Sequence, residues 1–147
     1  MKPEEIVKSM MDAVQNGDFK KARTYLTEDF QFSGPVPKPL NPDEWIGISN
    51  ALKTAFPDLQ YQLKLERMSS NVVYGSAELR GTHKGTLDLS MMGMGVIPAT
   101  GKSFHAAREL VQVTVRGDKI SEFRTEKRKD AGVPFILETL GINLPAM

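Results

Sequence analysis

The spacing of apolar residues changes at Pro57, and this change constrains the fold more than any other feature of the chain. Before Pro57, apolar side chains recur every three or four residues and share one face of a helix, as Ile6, Met10 and Val14 do. After Pro57, apolar and polar residues alternate, which is typical of strands with one buried face. Helices followed by a long antiparallel run predict an α+β fold in which helices cover one face of a curved sheet.

Capping and turn residues predict where the elements begin and end. Gly17 followed by Asp18 ends one helix and begins a second. Asn41 is the predicted N-cap of a third helix, with Pro42 in its first turn, and Pro57 ends that helix. The predicted strands are 30–32, 61–67, 72–83, 86–92, 103–115 and 120–127, and a short closing helix is predicted at 132–137.

The charge balance and the absence of cysteine exclude several function classes. The 147 residues carry 19 Lys and Arg against 18 Asp and Glu, which gives a formal net charge of +1. So small a charge argues against nucleic acid as the main partner. Without cysteine, the chain has no disulfide, no thiolate nucleophile and no zinc–cysteine site.

The chain shows no internal division, and its beginning does not resemble a targeting segment. No repeat or low-complexity tract interrupts it, which predicts one domain over residues 1–147. Acidic residues occur where a signal peptide needs an unbroken apolar core, and no stretch approaches the roughly 18 apolar residues of a membrane span. We therefore expect a cytoplasmic protein with no membrane partner.

A carboxylate interrupts one apolar row of the predicted sheet. In strand 103–115, Glu109 shares its alternation with three valines that follow it, so its side chain is predicted to point inward. A carboxylate buried among apolar groups acquires a partner or a raised pKa, and a raised pKa suits general acid–base chemistry. The alternatives are a bulge that turns Glu109 to solvent, or an ion pair with Arg108 or Arg80.

Both histidines of the chain, His83 and His105, are predicted on inward-facing rows of their strands. Either could pair with Glu109 or hydrogen-bond a ligand, and the alternative is that each is a structural histidine with a partner in the core. Two histidines without cysteine are too few for an ordinary catalytic zinc site. We therefore predict no metal.

Residues 91–97 form an apolar, glycine-rich segment that is too irregular for a helix or strand. Met91 and Met94 in this segment are adaptable packing groups. The segment is predicted to be a lid over a lipophilic pocket, or alternatively a loop covered by its own fold or by a second subunit.

Four short motifs, in order and spacing, resemble the SnoaL-like branch of the nuclear transport factor 2-like superfamily. They are AFPDL at 55–59, GTHKG at 81–85, IPATGK at 97–102 and GDKI at 117–120. The resemblance covers nearly the whole chain. It implies a cone in which a strongly curved antiparallel sheet wraps around N-terminal helices, with a deep apolar pocket open at one end, commonly as a homodimer.

The resemblance also implies where an acid–base group would be. In SnoaL-like cyclases an aspartate stands on the last strand, five residues after the isoleucine of the final turn motif, and that position is Thr125 in this chain. Threonine cannot act as a carboxylate base, so the cyclase mechanism does not transfer intact. The preceding strand of these cyclases carries polar pocket residues near the position of Glu109, which suggests a relocated carboxylate.

Two functions from different classes remain open. The first is a cofactor-independent enzyme of cyclase, isomerase or hydratase type that acts on a small apolar or polyketide-like molecule. There Glu109 moves a proton, and His83 or His105 orients the substrate. The second is a non-catalytic ligand-binding or dimerisation module of the same fold. In either case the predicted ligand-binding residues are Trp45, Tyr61, Met91, Met94, Phe123, Thr125 and Lys127.

No cofactor is predicted. Proton transfer next to a carbonyl requires none, and the chain has neither a dinucleotide-binding glycine pattern nor a phosphate-binding loop. A homodimer is predicted to form through the outward rows of the last two long strands, which mix apolar and charged side chains as interfaces do. Those rows contain Leu110, Gln112, Thr114, Ile120, Glu122 and Arg124.

Overall fold

A computed structural model describes residues 2–142 except Pro35, Pro37, Met91, Met92 and Met94. Its helices are α1 (Pro3–Gln15), α2 (Phe19–Thr24), α3 (Pro42–Ala55) and α4 (Gly132–Thr139). Its strands are β1 (Leu26–Ser33), β2 (Lys64–Ser69), β3 (Val72–Ala77), β4 (Arg80–Thr82), β5 (Leu87–Asp88), β6 (Val96–Ile97), β7 (Ser103–His105), β8 (Glu109–Arg116) and β9 (Lys119–Thr125). The predicted order of helices and strands is observed with one addition. Val96 and Ile97 pair with β5 as strand β6, so the expectation that residues 91–97 contain no strand is wrong at those two residues.

The first three helices begin or end at the predicted capping residues. Gly17 takes a positive φ of 78° after α1, and the Asp18 side chain accepts the backbone N–H of Lys21 in the first turn of α2 at 3.2 Å. Asn41 and Glu44 form a reciprocal capping box at the start of α3, which ends before Pro57. No helix within the described residues is long and apolar enough to cross a membrane.

Five strands form the main sheet in the order β1-β9-β8-β3-β2, and the helices cover its inner face. Strands β9, β8, β3 and β2 are antiparallel neighbours, whereas β1 runs parallel to β9. The α+β prediction is confirmed, although the sheet is mixed rather than antiparallel throughout. The parallel edge arises because β1 joins the sheet through α3 and the later strands, with no hairpin to reverse it.

Two of the predicted long strands are each divided into two. The run 72–83 becomes β3 and β4, and the run 103–115 becomes β7 and β8. Strands β4 and β7 pair in a second, two-stranded sheet, so the chain bends where the connections at 78–79 and 106–108 interrupt the main ladder. Strands β5 and β6 form a third, two-stranded sheet, in which β5 contacts α3.

The outward row predicted for β9 is wrong at its first residue. Ile120 is fully buried, because the pairing of β9 with β8 contains a bulge at Ser121 that shifts the alternation. Phe123 and Thr125 follow the bulge and are buried as predicted. On β8 the outward prediction holds for Leu110, which is 60% exposed.

Candidate functional site

An apolar cavity of about 100 Å³ lies between the inner face of the main sheet and helices α1, α3 and α4. Its walls combine sheet residues, helix residues and the chain that follows β1. They are formed by Met11, Phe32, Val36, Leu40, Trp45, Ile48, Ser49, Leu52, Tyr61, Ala77, Leu79, Glu109, Val111, Phe123, Thr125, Gly132, Val133 and Pro134.

Aromatic rings form one wall of the cavity. The ring centroid of Trp45 lies 5.6 Å from that of Phe123 and 5.9 Å from that of Phe32, and Phe32 and Phe123 are 5.7 Å apart. These separations are ordinary for packed aromatic pairs. Trp45 and Phe123 therefore occupy the wall positions predicted for them.

Glu109 opens strand β8 and is 5% exposed, with its side chain in the cavity wall. The residue opposite it on β3 is Ala77, whose small side chain leaves space in front of the carboxyl group. Among the described residues, Oε2 of Glu109 has no hydrogen-bond partner. Burial raises the pKa of Glu109 from 4.5 to about 7, so the group exchanges its proton near neutral pH.

The two arginines considered as partners of Glu109 bind elsewhere. Arg108 donates to Ser76 Oγ at 2.8 Å and to Glu78 at 3.2 Å, and Arg80 donates to Gln60. The ion-pair alternative for Glu109 is therefore wrong. The bulge alternative is also wrong, because Glu109 is buried and not turned to solvent.

Two charged residues beyond the end of β9 influence Glu109 without bonding to it. Glu126 accepts the backbone N–H of Leu110 at 2.9 Å, and its charge adds to the raised pKa of Glu109. Arg128 lies 3.6 Å from the Glu126 carboxylate, and its positive charge acts in the opposite direction on Glu109. Burial remains the main cause of the shift.

Thr125 ends strand β9 and is 7% exposed. It is paired with Val111 of β8, so it stands diagonally across the ladder from Glu109 on the same inward face. Its Oγ1 atom, like Oε2 of Glu109, has no hydrogen-bond partner among the described residues. A Cβ atom at Gly34 would overlap Thr125 Oγ1, so the absence of a side chain at Gly34 leaves room for this hydroxyl.

The remaining predicted ligand contacts have different outcomes. Tyr61 lines the cavity, its backbone N–H donates to Gln15 Oε1 at 3.0 Å, and burial raises the pKa of its hydroxyl. Lys127 is exposed and does not line the cavity. Met91 and Met94 lie outside the described residues, so the proposed lid is not tested by them.

His83 is fully buried, as its alternation predicts, but it does not line the cavity. Its Nδ1 atom is 2.9 Å from Thr100 Oγ1 and accepts the Thr100 backbone N–H at 3.2 Å. Its ring lies 5.3 Å from that of Phe56, which also packs edge-on against Phe104. Burial lowers the pKa of His83, so the structure favours the neutral ring.

The inward position predicted for His105 is wrong. Its side chain is 59% exposed, and Nε2 lies 2.7 Å from Glu78 Oε1 on the surface. The three residues between β7 and β8 are outside the ladder, and they shift the alternation by one position between His105 and Glu109. The structure therefore brings neither histidine to Glu109.

Sequence reasoning missed two contributors to the site. The first turn of α4, residues 132–134, closes one side of the cavity, although it lies far from the other walls in the chain. Gly34 shapes the surroundings of Thr125, and only the pairing of β1 with β9 reveals that contact. The sole local signal for Gly34 was a glycine at the end of a short apolar strand.

Within the described residues, no group of three or more His, Asp or Glu side chains is arranged to hold a metal ion. Comparison with known proteins gives one family match. The family model for SnoaL-like polyketide cyclases matches residues 4–126. A search of curated protein sequences finds no match.

Several solved structures are similar in fold. Wild-type IdmH, a candidate polyketide cyclase from Streptomyces antibioticus, is 22% identical, with a TM-score of 0.71, 97% of this chain covered and 100% of IdmH covered. AclR, a candidate hydroxylase from Streptomyces galilaeus, is 16% identical at a TM-score of 0.71, with 97% and 84% covered. A candidate SnoaL-like polyketide cyclase from Jannaschia sp. CCS1 is 19% identical at 0.66, with 84% and 83% covered.

Proposed function

The chain belongs to the SnoaL-like polyketide cyclase family, and on that premise we propose that it is a cofactor-independent acid–base enzyme of cyclase or isomerase type. Family membership supports a small-molecule role of this kind, and the fold alone does not select the reaction. The observation that carries the proposal is the Glu109 carboxyl, which is buried in the wall of an apolar cavity and whose Oε2 atom has no hydrogen-bond partner within the part of the chain that the structure describes.

Glu109 acts as the proton-transfer group of the proposed reaction. In its ionised form the carboxylate takes a proton from a carbon next to a substrate carbonyl, so that the C–H bond breaks and an enolate forms. In its neutral form it returns the proton to carbon or oxygen elsewhere on the molecule, which completes an isomerisation or allows ring closure. A pKa near 7 keeps both forms available at neutral pH.

This assignment relocates the acid of the family by one strand. Thr125 occupies the position where the resemblance places an aspartate, and Glu109 stands diagonally opposite on β8. Both side chains face the same cavity, so a carboxyl group on either strand reaches the same ligand. With Glu109 as the acid, the cavity keeps a proton-transfer group although Thr125 stands where the aspartate is expected.

The experiment is deuterium exchange at the α carbons of cyclopentanone in heavy water, followed by ¹H NMR. Wild-type protein accelerates exchange, and the rate rises with pH around a midpoint near 7 as Glu109 ionises. Glu109→Gln lowers the protein-dependent rate by about a hundredfold or more, the range typical for a lost general base. The matched control is Glu66→Gln, which changes the same group at an exposed position on β2 and leaves the rate unchanged.

A full exchange rate in Glu109→Gln, with the amide spectrum of a folded protein, overturns the assignment. The competing function, a binding module without chemistry, gives a different result. In that case cyclopentanone binds to the cavity and exchanges no faster than in buffer.

The homodimer expected from the resemblance is a further part of this proposal. Leu110 is 60% exposed on the outer face of β8, next to the less exposed Gln112 and Thr114. An apolar side chain surrounded by polar ones is a common composition for an interface between copies. Light scattering at micromolar concentration should report the mass of a dimer, and Leu110→Asp should shift it to that of a monomer.

A further inference from the structure

Two buried oxygen atoms in the cavity wall have no partner among the described residues, and they belong to different strands. They are Oε2 of Glu109 on β8 and Oγ1 of Thr125 on β9. Both residues are more than nine-tenths buried. Leaving a polar atom buried and unpaired costs stability, so two such atoms in one cavity indicate that a ligand supplies the missing hydrogen bonds.

The surroundings of each oxygen contain unusually small side chains. Ala77 lies opposite Glu109, and Gly34 lies against Thr125 Oγ1, where any Cβ atom would collide with it. Apart from Ser49, whose hydroxyl donates to the Trp45 carbonyl, and Tyr61, the rest of the wall is apolar. A few hydrogen-bonding points on a mainly apolar surface are typical of a small-molecule site that fixes orientation.

The cavity is small. Its volume is about 100 Å³, whereas an apolar cavity of about 150 Å³ accommodates benzene. Its aromatic wall is already packed, with Phe32, Trp45 and Phe123 in mutual contact, so little of the wall can yield. The described walls therefore enclose room for one small ring of about five members, which is less than a fused-ring system needs.

On the basis of the proposed function, we infer that the substrate is a single-ring molecule with two oxygen substituents, of the hydroxyketone or diketone class. The second oxygen substituent accepts a hydrogen bond from the Thr125 hydroxyl, and the carbonyl group lies next to Glu109. There the neutral carboxyl donates a hydrogen bond to the carbonyl oxygen, whereas the ionised carboxylate faces the carbon next to it. Thr125 is thus a specificity-determining residue that orients the ring for Glu109.

The test compares two probes that differ by one oxygen, cyclopentanone and 3-hydroxycyclopentanone. Titration of ¹⁵N-labelled protein, followed by amide chemical shifts, gives a Kd for each. Wild-type protein binds the hydroxyketone about tenfold more tightly, the gain expected when a buried unpaired group acquires a partner. Thr125→Val keeps the shape and removes the hydroxyl, and it abolishes this preference.

Thr125→Ser is the matched control, because it retains the hydroxyl and loses only a methyl group. It keeps the preference for the hydroxyketone and shows that the effect of Thr125→Val is not a general change in packing. Equal affinity of wild-type protein for the two probes, or a preference that persists in Thr125→Val, overturns the inference.

A third probe, the fused-ring ketone 2-tetralone, tests the size of the substrate. We expect it to leave the amide signals of Val111 and Phe123 in the cavity wall unchanged at concentrations where cyclopentanone shifts them. Binding of 2-tetralone in the cavity as tightly as cyclopentanone overturns the single-ring class.

The binding test and the exchange test can fail independently, so a wrong substrate class can be distinguished from a wrong chemical function. A hydroxyketone preference that depends on Thr125, without faster α-proton exchange, supports the recognition site and overturns the proposed chemistry. Exchange that depends on Glu109, without any hydroxyketone preference, supports the chemistry and overturns the substrate class.

Discussion

Glu109 and His83 are both polar, both buried and both on inward rows of their strands, yet only one of them borders the cavity. Glu109 stands in the cavity wall, and its Oε2 atom has no partner among the described residues. The His83 ring is packed against Phe56 away from the cavity, with Nδ1 bonded to Thr100, although Nε2 also has no partner among the described residues. A polar residue on an apolar row therefore indicates burial, and only the packing opposite it distinguishes a reactive group from a structural one.

The difference between the two regions comes from the size of the facing residue. Ala77 faces Glu109 and leaves space beside it, whereas the Phe56 ring packs against His83 and leaves none. Both facing residues are apolar, and alternation alone does not separate them. Substitutions of Glu109 and His83 test whether the two regions differ in catalysis, in the pH dependence of stability and in the cost of truncation.

The largest expected difference is in catalysis. Glu109→Gln lowers the rate of α-proton exchange about a hundredfold or more, because it removes the group that accepts the proton. His83→Gln changes the rate per folded molecule by less than about twofold, because its ring does not reach the cavity. Parallel exchange measurements on both variants check this, and a comparable loss in His83→Gln would erase the distinction.

The second difference is in how stability depends on pH. Glu109 keeps its proton in the folded protein up to pH about 7 but loses it above pH 4.5 in the unfolded chain, so the folded state loses stability between these values. At about 1.4 kcal/mol per pKa unit the loss is about 3 kcal/mol. Glu109→Gln should abolish it, as measured by urea unfolding at pH 4.5 and pH 8.

His83 acts in the opposite sense on pH dependence. Its lowered pKa means that the unfolded chain takes up a proton first as pH falls below about 6.5, and the folded state is destabilised there. In Glu109→Gln, this second trend is expected to remain and to become easier to observe. If the free energy of unfolding of Glu109→Gln still fell as the pH rose above 4.5, the role assigned to Glu109 would be contradicted.

The third difference is in the cost of truncation. His83→Ala should lower the free energy of unfolding by about 2 kcal/mol, because it creates a hole in filled packing and removes a hydrogen bond. Glu109→Ala, measured at pH 5, should change it by less than about 1 kcal/mol, because the residue already borders empty space. Urea denaturation of both variants sharpens the contrast, and equal costs would contradict it.

The smallest effect is a gain. Thr125→Val should raise the free energy of unfolding by about 1 kcal/mol, because it replaces an unpaired buried hydroxyl with a methyl group in a strand. The same substitution should weaken recognition of the hydroxyketone, so stability and binding move in opposite directions. Thermal unfolding checks the gain, and a clear loss of stability would show that the hydroxyl has a partner within the fold.

Local patterns predicted most of the fold and one half of the site. Alternation along β8 placed Glu109 inward correctly, because the strand is regular from that residue onward. Alternation misplaced His105, because three residues outside the ladder separate β7 from β8 and the sequence there contains no glycine or proline to indicate the break. Alternation along the last strand predicted that Thr125 faces inward, and the family resemblance singled out its position; its buried orientation is observed.

The rest of the site depends on contacts between distant parts of the chain. The first turn of α4 forms part of the cavity wall, and Gly34 meets Thr125 only because β1 lies beside β9. Such contacts are set by the packing of whole elements, so no short window of sequence contains them. The volume of the cavity, on which the substrate class rests, is likewise a property of the assembled walls.

The parallel pairing of β1 with β9 has a consequence for the order of folding. Leu26 pairs with Ile120, roughly ninety residues later in the chain, so the first strand to leave the ribosome waits for the last before it finds its neighbour. Until then β1 is an unpaired edge, a state that invites association with other chains. Because β9 supplies Phe123 and Thr125 to the cavity wall, a nascent chain that stops short of β9 lacks part of the site.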